Sequence, residues 1–151
     1  MIPIVRVTLK PENYIMQNEN YIFGCEEAAP IFIEEISECA REVISMICLN
    51  AQNEILNYSV ISLGKVDKVS VDYNVLLTTA LLSCAKFIII GHNHPSNNLK
   101  PSQVDIDTTK NIGKLCKIVD VELLDSLIVT PEKKWLSIRS YIKNKGDKFN
   151  V

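Results

Sequence analysis

Apolar residues recur along this chain with two periods, and each predicts a different element. Alternation, or an unbroken run of branched residues, marks strands, whereas recurrence every three to four positions marks helices. "IPIVRVTL" (residues 2–9) alternates and predicts a strand, followed by loop-like sequence to about residue 24. "APIFIEEISECAREV" (29–43) has apolar Ile33, Ile36 and Ala40 with acids between them, which predicts an amphipathic helix. "VISMICLNAQNEILNYSVIS" (43–62) reads as two β-rich runs joined at the polar turn "NAQN", a hairpin. A turn at "LGKVDK" and a short strand "VSV" (69–71) come next. "YNVLLTTALLSCA" (73–85) predicts a buried helix, with Asp72 or Asn74 near its start. "KFIII" (86–90) is a continuous apolar run, typical of a central strand covered on both faces. A helix from Ser102 to about Val119, a strand "VELLDSLIV" (121–129), a proline turn, and a final short strand and helix complete the map. Strands alternating with helices, without internal repeats, predict a mixed α/β layer structure.

Composition narrows the class. The 151 residues suit a single domain, 1–151, large enough to bury a core unaided. Hydrophobic residues at 47% and charged residues at 23% are ordinary globular values. Five scattered cysteines include no CxxC pair and leave one over after pairing, so buried free thiols in a reducing compartment are expected. With no charged-then-apolar leader and no apolar run of membrane-spanning length, the expectation is a cytoplasmic protein without a membrane partner. Net charge is −2, which supplies no general attraction to nucleic acid. The charge is uneven: residues 1–54 carry nine acids against three bases, and the tail 131–151 carries six bases against two acids. That tail could touch phosphates, but its spread reads more simply as a solvated terminal helix.

The chemistry concentrates in "GHNHPSNNLKPSQVD" (91–105), which holds both histidines of the chain. Strand residues two apart project to one side, so His92 and His94 can grip one metal while Asn93 turns away. Pro95 fixes the backbone leaving the strand, and seven residues then separate His94 from Ser102, enough for a loop to fold back. Asp105 falls one turn into the helix that "PSQVD" opens. Two neutral imidazoles and a carboxylate leave a fourth tetrahedral position for water, the usual composition of a catalytic zinc. Such a zinc lowers the pKa of its water to about 7. Ser102 and Asp105 also have N-cap and N3 spacing, and taken alone that pair reads as a helix start.

The spacing His-x-His, seven residues, Ser, two residues, Asp resembles the JAMM signature of the JAB/MPN metalloprotease family. The longer string "HNHPS…PSQVDIDTTK" is similar to the RadC branch of that family, and the likeness runs from about Ala40 through Val129. It takes in the hairpin "EVISMICLNAQNEIL" and the strand "VELLDSLIV"; no stretch resembles the helix-hairpin-helix unit that often precedes the domain in that family. The resemblance implies a cytidine-deaminase-like layered mixed β-sheet flanked by helices, with a core at about 40–130. It further implies Zn2+ held by His92, His94 and Asp105, and a glutamate where an early strand begins. Glu42 matches that glutamate best, although a charge at a helix–strand junction is also an ordinary surface feature shared with Glu34, Glu35, Glu38 and Glu54. In the implied reaction Glu42 moves the proton and the Ser102 hydroxyl donates to the oxyanion, so that water cleaves a peptide or isopeptide bond.

Three positions depart from the family pattern. Asp125 is followed by Ser126 where Asp-His is usual, leaving Asp125 as a candidate acceptor behind the metal. Asn97-Asn98 stands where Gly-Asp is common, and asparagine tolerates a left-handed conformation. Tyr73 stands near a position usually held by arginine. Two other readings compete with the hydrolase: a non-catalytic MPN-type binding module, and a nucleic-acid role in keeping with the DNA-repair label of RadC proteins. Retained ligands argue against the first and the acidic charge against the second. A base deaminase is excluded, because His-x-Glu and Pro-Cys-x-x-Cys are missing.

Overall fold

A computed structural model gives the structure of residues 1–63, 70–146 and 148–149. Among these, five strands form one mixed sheet. β1 (Val43–Leu49) and β2 (Ile55–Leu63) make the expected hairpin. Its turn is held by Asn50, whose side-chain oxygen accepts from Gln52 N and Glu54 N at 2.9 and 3.0 Å. β3 (Phe87–Asn93) lies between β1, which it pairs antiparallel, and β4 (Glu122–Val129), which it pairs parallel. β5 (Trp135–Ser137) closes the order β2-β1-β3-β4-β5. β3 is therefore central, as the run "KFIII" predicts.

Side-chain alternation along β3 divides the core in two. Ile88 and Ile90 face a cluster with Leu76 and Ala80 of α2 (Tyr73–Leu82) and with Ile112 and Cys116 of α3 (Gln103–Ile118). Ile89 faces the other way, onto Ala28, Ala29 and Phe32 of α1 (Cys25–Ile36). Helices thus cover both faces, and α4 (Ile138–Asn144) buries Ile138 and Ile142 against Ile128 of β4. This is the layered, helix-flanked mixed sheet that the sequence predicts. At Gly91, between Ile90 and His92, a Cβ would lie 2.2 Å from Cδ1 of Phe32. The absent side chain is what lets α1 settle onto β3.

Several expectations are corrected. Residues 2–9 form no strand: they are exposed throughout, because alternation makes a strand only where a neighbour completes the ladder, and Pro3 lacks a donor besides. The first helix spans Cys25–Ile36 rather than 29–43, with Glu26 and Glu27 in its first turn. α2 is only half covered, with Leu76 and Ala80 its buried residues. The "LGKVDK" turn falls mainly on residues outside those described, as does Val69 of the expected "VSV" strand, and Ser70 and Val71 are not in a strand. The cysteines are all free, but Cys48 and Cys116 alone are buried, and Cys84 is exposed. The terminal helix docks Ile138 and Ile142 on the sheet and keeps Lys143 exposed to solvent.

Candidate metal centre

The parallel pair β3–β4 ends where its strands' carboxyl ends meet the start of α3, a common place for sites in α/β sheets. His92 continues the alternation that points Ile88 and Ile90 towards α3, so its ring projects to that side. The chain remains extended beyond β3, because His94 N donates to Val129 O at 2.8 Å. His94 therefore projects with His92. The return loop carries Asn97 in the left-handed region (φ 61°), with its side chain accepting from Glu132 N at 3.1 Å. The asparagine accommodates the turn that glycine serves elsewhere.

α3 then brings Asp105 back to the two rings. Ser102 caps the helix by accepting from Asp105 N at 3.1 Å, and Asp105 Oδ2 accepts from Ser102 N at 2.7 Å. The capping box and the convergence with histidine coexist in one carboxylate. His92 Nε2 lies 3.1 Å from His94 Nε2 and 3.4 Å from Asp105 Oδ1, and His94 Nε2 lies 3.5 Å from Asp105 Oδ2. Ligand atoms bonded at about 2.0–2.1 Å to a tetrahedral zinc stand about 3.3–3.4 Å from one another. The three contacts, between two nitrogens and the two oxygens of one carboxylate, are of that size and fit a zinc ion. Among the described residues these three form a group able to share one ion.

Electrostatics agree with the geometry. The His94 Nδ1–H donates to Asn98 O at 2.6 Å, which leaves the Nε2 lone pair of the neutral ring directed at the shared point. Burial alone would lower the His94 pKa, but hydrogen bonds to Asp105 and to the Asn98 carbonyl, with the charges of Asp105 and Glu42, raise it above its ordinary value. Burial alone would raise Asp105, yet the two imidazoles and the Ser102 N–H hold its carboxyl far below the usual carboxylate range. Nitrogens packed this closely around a carboxylate attract a cation; without a metal, a proton takes that part.

A cleft of about 580 Å³ opens onto the triad, lined also by Glu42, Lys100, Ser102 and Ser126. Glu42 directly precedes β1. The β1–β3 register pairs Ile44 with His92, and extending it by two residues on each strand sets Glu42 opposite His94 on the same face. Asp125 does not stand behind the His92–His94–Asp105 group. It points to the α1 side, where it accepts from Cys25 Sγ at 2.8 Å, Ser137 Oγ at 2.6 Å and Arg139 N at 3.1 Å. Burial, then the bond to Asp125, pushes the Cys25 thiol up to about 12, so this cluster is a structural tie and not a reactive thiol. Ser126 is the member of that pair that faces the cleft. Tyr73 opens α2 and packs against the core. The sequence gives no role to Asn98, whose carbonyl orients His94, or to Asn93, whose one signal is its place between the histidines.

Comparison with known proteins places these features in a lineage. The RadC-like JAB domain family matches residues 22–144, from just before α1 to the end of α4. UPF0758 proteins are similar over most of this chain: 30% identity over 123 residues in Geobacillus thermodenitrificans, covering 81% of this chain and 54% of the relative. The Streptococcus sanguinis protein is 34% identical over 116 residues, 77% of this chain and 51% of the relative. The Finegoldia magna protein is 34% identical over 105 residues, 70% and 47% respectively. The chain spans about half the length of the curated relatives it matches. On the extent of the family match, together with the His-x-His strand end and the Ser-x-x-Asp helix start, the chain belongs to the RadC-like JAB domain family.

Proposed function

We propose that the domain is a zinc-dependent hydrolase that uses water to cleave a peptide or isopeptide bond. The observation that carries this reading is the meeting of His92, His94 and Asp105 at contacts of 3.1, 3.4 and 3.5 Å on the wall of the cleft. A zinc ion held there would supply Lewis acidity towards the carbonyl and a water of pKa about 7. The chain's own residues supply the rest. Glu42, across from His94, accepts the proton of the attacking water and returns it to the leaving amine. The Ser102 hydroxyl accepts from Asp105 N, which leaves its own proton free to donate to the oxyanion as the carbonyl is attacked. The substrate is a protein or peptide whose scissile carbonyl enters the cleft between Glu42 and Ser102. Because attack is by water, no acyl-enzyme forms.

The test is metal content with matched variants. The purified chain should hold about one zinc, and His94→Ala or Asp105→Ala should lose it. Glu42→Gln should keep the zinc and lose hydrolysis of peptide or isopeptide substrates. Equal zinc in the wild type and both ligand variants would refute the reading.

A further inference from the structure

Asn93 sits between the two histidines on the strand end and projects to the opposite face, where it is fully buried. Its amide is entirely spent on one stretch of backbone. Nδ2 donates to Cys39 O and to Arg41 O, both at 3.0 Å, and Oδ1 accepts from Val43 N at 2.6 Å. These three partners bracket Glu42. The stretch from Cys39 to Glu42 belongs to no helix or strand, and the β1–β3 ladder begins only at the pair Ile44–His92. The side chain of Asn93 therefore continues the contact between the two segments beyond the last backbone pair. Among the described residues nothing hydrogen-bonds the Glu42 carboxylate itself, so its place follows from the backbone that carries it.

We propose that Asn93 is a positioning residue for Glu42: its three bonds fix residues 39–43 so that the carboxylate stands over the open side of the His92–His94–Asp105 triangle. The inference rests on the hydrolase reading and adds a part to it. One tripeptide, His92-Asn93-His94, then sets both the ligands on one face and the base from the other. The side chain demanded is narrow. Two carbonyls and one N–H must be met from a single Cβ, which calls for two donors and one acceptor on a planar group. Aspartate offers no donor, and serine is too short to span three alternate residues.

The experiment uses the full chain loaded with Co2+, with glutamate labelled by 13C at the side-chain carboxyl. In the wild type one carboxyl carbon should show a large paramagnetic shift, and its disappearance in Glu42→Gln assigns it. In Asn93→Ala, and in the isosteric Asn93→Asp, the Co2+ absorption should persist while the Glu42 signal loses that shift and moves towards the other glutamates. A merely structural asparagine would lower the melting temperature and leave the signal where it was. An unmoved Glu42 signal in both loaded variants overturns this inference and leaves the metal reading intact. A wild-type chain that takes up no Co2+ removes the metal reading, and this inference falls with it.

Discussion

Gly91→Ala adds one methyl group to the strand that carries both histidines, and the structure says where it goes. The new Cβ would stand 2.2, 2.4 and 2.6 Å from Cδ1, Cγ and Cε1 of Phe32. Carbon atoms in contact rest at about 3.5–4.0 Å, so ring and strand must separate by at least ~1.3 Å. Phe32 is fully buried beneath α1, its ring centroid 6.1 Å from that of Tyr58, and has no open side to move into. Overpacking of a filled core costs about 1–3 kcal/mol, and a clash with three ring atoms belongs at the upper end. The expectation is a loss of about 3 kcal/mol in urea unfolding, equivalent to roughly 6–12 °C in Tm for a domain of this size. Phe32→Ala alone should cost about 3–5 kcal/mol through the cavity it leaves. In that background Gly91→Ala should become neutral, or stabilising by about 0.5–1 kcal/mol, since alanine is preferred to glycine inside a strand. If Gly91→Ala costs the same in both backgrounds to within ~0.5 kcal/mol, the two positions are not coupled and the packing argument fails.

Other expectations concern the site more directly. Ser102→Ala should lower stability by about 1 kcal/mol through the lost cap while retaining zinc. Its turnover should fall by roughly 10²–10³, and unchanged turnover would remove Ser102 from the reaction. Asp125→Asn should leave zinc content unaltered and weaken the fold by about 1–3 kcal/mol, because its partners belong to α1, β5 and α4; zinc loss in that variant would return Asp125 to the metal. In the ion-free chain the raised His94 pKa contributes stability that is complete below about pH 6.5 and lost as pH rises through the folded value. The depressed Asp105 carboxyl contributes above about pH 4 and is lost only in stronger acid. Between pH 6 and 8 the Tm of the ion-free chain should therefore fall, whereas zinc affinity should rise as protons cease to compete for His94. A Tm that climbs across that interval contradicts the sign.

Much of the candidate site was legible because it is local. His92, His94, Ser102 and Asp105 lie within fourteen positions, so one strand end, one proline turn and one helix start define their meeting without any knowledge of the sheet. Glu42 is fifty residues away from His92 along the chain, and the antiparallel register of β1 against β3 brings it to the same cleft. Asp125 was misjudged for a related reason. Parity along β4 decides its face, and "LLDSLIV" is apolar on both sides, so the sequence pattern does not say which of Asp125 and Ser126 looks towards α3. The central strand was readable from its unbroken apolar run. "IPIVRVTL" has the composition of a strand, but strandedness requires a partner that periodicity does not reveal.

The reciprocal bonds between Ser102 and Asp105 have a kinetic consequence. They tether the carboxylate to its own helix start through contacts that no ion takes part in, just as the Asn98 carbonyl steadies His94 independently. On the hydrolase reading the ligands are gathered when the chain folds, so a chelator should strip zinc without melting α3, and refilling should proceed at the pace of diffusion through the cleft mouth rather than of refolding. Zinc would then come and go as an exchangeable guest of a finished scaffold.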